Sequence, residues 1–208
     1  QQWGSKLVSS FSTDPRHVPI IPTAIARSLR NVIQAGDVFV TRKECAVTNY
    51  FLPGFWPHVA MYIGDDNVVE SLKDGVRVRG MDSPFGNDCL AVIRPQLSES
   101  EIQAAIARSH SHVGKPYDFD FDFTRSDRMV CTEVVYRSFQ GIGQMEFRLT
   151  KRAGRQTLSA EDLLLMAIRS QCFQIVAVYC PGRNKKLCNG ESAAQILQET
   201  VASNDSAS

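Results

Sequence analysis

The sequence predicts an α+β domain, a mostly antiparallel sheet of about five or six strands packed against helices. Three observations carry that prediction. Four short runs, "HVAMYIG", "NVVESL", "GVRVRG" and "CLAVIRP", follow one another between residues 58 and 95, separated by segments rich in Gly, Asp and Asn. Connections this short join antiparallel neighbours, because a parallel crossover needs about a dozen residues or more. Helical spacing appears before and after this block rather than inside it. At 208 residues and 43% hydrophobic content, the chain can bury one full core, so one domain with extensions is expected.

Taken in order, "PTAIARSLRNVIQ" (22–34) is spaced like an amphipathic helix and closes an N-terminal helical extension, 1–34. "AGDVFVTR" switches to strand composition and opens the main domain, 35–181. After the four strands, "SESEIQAAIARSHSHV" (98–113) begins with Ser98 and Glu101 in a capping-box arrangement and continues with helical spacing. "CTEVVYRSF" has helix-like apolar spacing through Val134, Val135, Phe139 and Ile142. Ser159 with Asp162 forms an acidic variant of the box before "SAEDLLLMAIRS", and "FQIVAVY" reads as a last strand. From Gly182 the composition turns polar and ends in "SNDSAS", so 182–208 is expected to be a polar tail, partly disordered.

Charge and composition exclude several classes. Basic and acidic residues balance at 23 against 22, a formal charge of +1, which offers no basic face for nucleic acid. No apolar run approaches the roughly 20 residues that span a bilayer, and the first residues lack the basic head and apolar run of a signal peptide. A soluble protein with no transmembrane segment is the expectation. The six cysteines (45, 89, 131, 172, 180 and 188) include no CxxC pair, and the eight-residue steps from Cys172 to Cys188 do not match zinc-ligand spacing. No metal is expected, and Cys180 with Cys188, across "CPGRNKKLC", is the best-placed disulfide candidate.

Cys131 stands apart because it follows a loop rich in Asp, Arg and Ser and falls in the first turn of its helix. Unpaired N–H groups and the positive dipole end there favour a thiolate and can hold an oxyanion. A small buried hydrophobe is the competing reading of the same residue. A nucleophile needs a base, and only four histidines exist. His110 and His112 are two apart on one helix and cannot share a face, and His17 lies in a segment with little pattern. His58 begins a strand directly after "NYFLPGFWP", where a rigid scaffold presents functional groups, although a backbone-bonded strand histidine reads the same way.

Taken together, "GDVFVTR", "PGFWPHVAMYIGDDNVVES", "GKPYDFDFDF" and "CTEVVY", in this order, resemble the circularly permuted NlpC-type papain-fold cysteine hydrolases, especially the YiiX/YebB-like branch. The resemblance spans roughly residues 35 to 180 and implies a papain-like fold with the nucleophile at a helix N-terminus. It implies Cys131 as nucleophile, His58 as general base, Glu70 as the group that orients the imidazole, and Tyr117 beside the oxyanion. The family's usual Ser after the cysteine is Thr132 here. Related retinoid and phospholipid acyltransferases carry a second histidine where this chain has Glu70, which favours the YiiX side.

Strand geometry makes the role of Glu70 conditional. A simple hairpin with a two-residue Asp65-Asp66 loop would pair Glu70 with Met61 and point it away from His58. An odd loop or a bulge would set Glu70 opposite Ala60, on the face of His58.

The reaction this implies is acyl transfer through a thioester acyl-enzyme, without metal or organic cofactor, on a small peptide or amide such as a cell-wall peptide. A bacterial cytoplasmic or periplasmic setting goes with the resemblance. Two rival readings are a lipid acyl hydrolase or acyltransferase using the same Cys-His pair, and a non-catalytic binding module on the same fold. The aromatic stretch 50–56 motivates the lipid reading, with Phe55 and Trp56 lining a substrate pocket or touching a membrane surface; core packing is the competing reading. "DFDFDF" (118–123) lacks the glycine and glutamate of a calcium loop, so Phe119, Phe121 and Phe123 are expected to pack inward. "GIGQ" reads as a helix stop rather than a phosphate loop, since no strand precedes it.

Overall fold

The computed structural model describes residues 16–44, 54–152 and 154–202. Helix α1 (Thr23–Arg30) precedes strands β1 (Val38–Arg42), β2 (His58–Gly64), β3 (Asn67–Leu72) and β4 (Gly75–Gly80). The short helix α2 (Asp82–Phe85), strand β5 (Cys89–Pro95) and helices α3 (Glu99–Ser111) and α4 (Cys131–Phe139) follow. A small hairpin of β6 (Thr150–Arg152) and β7 (Arg155–Thr157) leads to α5 (Ala160–Ile168), β8 (Phe173–Cys180), β9 (Asn184–Cys188) and α6 (Gly190–Ala202).

One sheet of seven strands organises these elements, in the order β4-β3-β2-β1-β5-β8-β9, with every neighbouring pair antiparallel. Its central strands are buried on both faces, which is why they read as apolar runs rather than as clean alternation. On one face Val38, Val40, Val59, Met61, Ala91 and Ile93 pack with Val135, Phe139 and Leu163 from the helices. On the other, Phe39, Ala60, Tyr62, Leu90 and Val92 pack with Ala26 and Leu29 of α1 and with Met81 and Phe85. The N-terminal segment thus closes the second face of the sheet, although its helix ends at Arg30, short of the expected residue 34.

The segment read as a polar tail from 182 instead supplies the seventh strand and a packed helix. Ala193, Ile196 and Leu197 of α6 are buried in the main core, and Trp56 Nε1 donates to Thr200 Oγ1 at 3.0 Å. Polar residues, Asn184, Lys185 and Lys186, open β9 because it is an edge strand, where polarity costs little; that composition hid it in the sequence. The end expected to be disordered, 203–208, lies outside the described residues.

Cys180 and Cys188 are both free thiols. Cys188 pairs opposite Val178 across β8 and β9, and the sulfur nearest Cys180 is that of Cys89, at 2.9 Å. The expected Cys180–Cys188 pairing gives way because the β5–β8 register, not sequence proximity, decides which thiols meet.

The β2–β3 hairpin sets up the site. Asp65 and Asp66 have φ of 49° and 55°, as the two central residues of a type I′ turn require, and Gly64 pairs with Asn67. Continued unchanged, that register would bring Met61 opposite Glu70. A bulge between Tyr62 and Gly64 shifts it by one, so Met61 faces Val69 and Tyr62 faces Val68. One extra residue, Ile63, therefore turns the side chain of Glu70 to the level of Ala60 and the face of His58.

Candidate active site

Cys131 opens α4, and the residues before it are pinned from two sides. Ser71 Oγ of β3 donates to the Met129 carbonyl at 2.7 Å. Tyr117 forms an isolated parallel bridge with Met129, in which Asp118 N–H donates to Met129 O and Met129 N–H to Pro116 O. This brings the Tyr117 block beside the helix start. Glu133 closes the first turn by accepting from the Val130 N–H at 3.1 Å; burial pushes its pKa up to about 7 against the pull of Val130 and Arg137.

His58 is the first residue of β2, paired with Thr41 at the end of β1. Its Nε2 lies 2.6 Å from Glu70 Oε2, which leaves Nδ1 as the nitrogen for the Cys131 sulfur. Burial disfavours charge on the imidazole, but the facing Cys131 thiolate and the Glu70 carboxylate outweigh it and raise the His58 pKa to about 10. Burial likewise disfavours the Cys131 thiolate, yet imidazolium attraction, with hydrogen bonds from the Val59 and Thr132 N–H groups, holds that thiol below its ordinary pKa. The two shifts describe one thiolate-imidazolium pair.

Glu70 is 1% exposed and stays ionised because of what surrounds it. Burial raises its pKa, and His58, Ser83 and Arg79 together more than reverse that. Ser83 Oγ of α2 donates to Oε1, and Arg79 Nε lies 3.3 Å from the same oxygen. Sequence reasoning missed both partners. Arg79 carried a signal: "VRVR" alternates along β4, Arg77 stands opposite Glu70, and Arg79 is one diagonal step away on the same face. Ser83 had none, since it arrives from a four-residue helix.

Burial and the neighbouring Cys131 push the Tyr117 phenol well above its ordinary pKa, so its O–H remains a donor. Its ring contacts those of Phe119 and Phe121 at centroid separations of 4.9 and 6.3 Å. Only Phe123 packs inward as expected; Phe119 and Phe121 are each 38% exposed. The cause is Asp118, fully buried, which accepts from the Asp120 and Asp122 N–H groups and draws the loop into a turn with Phe121 at φ 53°. That turn breaks the strand-like alternation that would have buried all three rings.

Phe55 and Trp56 part company. Phe55 is half-buried with the Arg42 guanidinium 4.4 Å above its ring, and Arg42 also holds the Phe55 carbonyl at 2.7 Å. Trp56 is 1% exposed and packs in the main core, so it lines no pocket. Residues 50–53 of the aromatic stretch lie outside the described residues. Among the described residues, no three His, Cys, Asp or Glu side chains converge to hold a metal ion, and no helix is long and apolar enough to cross a membrane.

An all-antiparallel sheet whose histidine strand precedes a cysteine-bearing helix defines a permuted papain-like protein of the cysteine hydrolase type. The chain belongs to the YaeF/YiiX, C92 family of permuted papain-like amidases, whose family model matches residues 32–205. A solved structure described as metalloprotein yiiX from Escherichia coli O157:H7 is similar in fold, with a TM-score of 0.52 at 19% identity, covering 79% of this chain and 92% of that one. No curated protein sequence matches.

Proposed function

We propose that the protein hydrolyses a small peptide amide through a thioester on Cys131, with His58 as the proton carrier and Glu70 as its orienting partner. The observation that carries this reading is the His58 imidazole held between the Glu70 carboxylate at 2.6 Å and the Cys131 sulfur, with the thiol pKa lowered and the imidazole pKa raised.

The thiolate attacks the amide carbonyl, forming the C–S bond and placing negative charge on the carbonyl oxygen. The Cys131 N–H at the helix start and the Tyr117 O–H are the donors assigned to that oxygen; removing one such donor costs about 3 kcal/mol in the barrier. Imidazolium Nδ1 then protonates the leaving nitrogen as the C–N bond breaks. Neutral His58 next takes a proton from water, which attacks the thioester and releases the acid and the thiolate. Glu70, accepting from Nε2–H, keeps Nδ1 facing the sulfur throughout and stabilises the charged ring.

The test is the pH dependence of Cys131 alkylation by iodoacetamide in the native protein, alongside His58→Ala. Reaction well below pH 8 that moves upward in the variant supports the pair. A thiol that reacts only near its free pKa, or not at all, returns the fold to a binding role.

A lipid or N-acyl substrate is the second reading, favoured by the exposed Phe119 and Phe121 beside Tyr117. A series of p-nitrophenyl esters of increasing acyl length separates the two: rising kcat/KM with chain length selects the lipid reading, and a preference for peptide amides selects the first.

A further inference from the structure

Cys89 and Cys180 lie outside the site described above. Strands β5 and β8 pair with Leu90 opposite Tyr179, so one step on, the first residue of β5, Cys89, stands across from the last residue of β8, Cys180. Their sulfurs are 2.9 Å apart and both side chains are buried. Directly opposed residues of antiparallel strands have Cα atoms about 4.5–5.5 Å apart, inside the roughly 4.4–6.8 Å that a disulfide spans.

We propose that Cys89 and Cys180 form a redox modification site, a dithiol that a small-molecule disulfide converts to a cross-strand disulfide between β5 and β8. The co-reactant is a low-molecular-weight disulfide of the oxidised glutathione class. The Cys180 thiolate attacks one of its sulfurs, breaking that S–S bond and expelling one thiolate. Cys89 then releases its proton to solvent, and its sulfur attacks the Cys180 sulfur of the mixed disulfide, expelling the second thiolate. The two cysteines lose two electrons, and one small disulfide is reduced to two thiols.

Electrostatics gives the order of attack. The hydrogen bond shared with Cys89 lowers the Cys180 pKa, with Arg183 and Arg42 assisting and burial and Glu44 opposing. Cys89 is raised by that same hydrogen bond, by burial and by Glu44. Cys180 is therefore the attacking sulfur and Cys89 the resolving one. Each sits at a strand end, where local opening admits a small disulfide without unfolding the sheet. The site also adjoins the catalytic strand: Arg42 pairs with Cys89, and Thr41, next to it, pairs with His58.

To test this, the full chain is incubated natively with oxidised glutathione in excess over reduced, blocked with N-ethylmaleimide and digested without reduction. The expected result is a peptide pair linked through Cys89 and Cys180, formed with loss of two hydrogens, and an unfolding midpoint that rises and falls back with dithiothreitol. In Cys89→Ser the link disappears and glutathione stays on Cys180. Recovery of both cysteines as maleimide adducts after oxidation, or a Cys180–Cys188 link, overturns the proposal; the wild-type digest decides this whatever the variant does.

Discussion

Cys131 and Cys180 are both buried cysteines at the same end of one sheet, and both thiols are held below their ordinary pKa. Their neighbours differ. Cys131 faces an imidazole that is itself held by a carboxylate; Cys180 faces only another sulfur, with arginines at the margin. An imidazolium stores a proton and returns it to a leaving group, so its thiolate partner can complete acyl transfer. A second thiol has no such proton relay at neutral pH, and the chemistry open to the pair is oxidation. Thiolate character alone does not define a catalytic cysteine; the group that charges it does.

The largest effect that sharpens this contrast is Cys131→Ala, expected to remove amide and ester hydrolysis by a factor on the order of 10⁶, as loss of a nucleophile does, while the Cys89–Cys180 link still forms in the mapping digest. His58→Ala is expected to cost about 10³-fold or more in kcat/KM. It also moves Cys131 alkylation up toward an ordinary thiol near 8.5, with Cys180 reactivity unchanged. If both cysteines shift together, the two regions are not independent.

Glu70→Ala is expected to lower kcat/KM about 10–100-fold, as for loss of a histidine's orienting partner. Full activity in this variant would dissociate Glu70 from the site. Glu70→Gln keeps an acceptor for Nε2–H but removes the negative charge that raises the His58 pKa. The alkaline limb of the kcat profile, set near pH 10 by imidazolium deprotonation, is therefore expected to move to lower pH, with about a tenfold loss at neutral pH. Smallest of all, Cys180→Ser in reducing buffer is expected to leave kcat/KM within about twofold, because a surface-remote thiol-to-hydroxyl change touches no reacting group.

Much of the site was legible because its parts are local. Cys131 after a polar loop announces a helix start, and His58 after an aromatic loop announces a strand end; each role depends on a few neighbouring residues. Arg79 was legible in principle from the "VRVR" alternation. Phe119 and Phe121 misread because alternation implies a strand, and one buried aspartate, Asp118, replaced that strand with a turn. Trp56 misread because an aromatic residue just before a strand-opening histidine looks the same in sequence whether it faces a pocket or, as here, Thr200 of the last helix.

By itself the sequence determined the antiparallel α+β architecture, the order of the histidine strand and the cysteine helix, and the residue types at the centre of the site. These follow from periodicities of two and about 3.6 residues and from turn chemistry, which act over a few positions. Tertiary structure alone decided that Ile63 bulges out to aim Glu70, that Ser83 comes to its other oxygen, that α6 belongs to the core, and that Cys180 meets Cys89 rather than Cys188. Each of these depends on the register between strands or on contacts between segments distant in the chain. Register is a property of pairs: a one-residue slip in pairing changes no local preference, yet it turns every side chain of the strand to the opposite face.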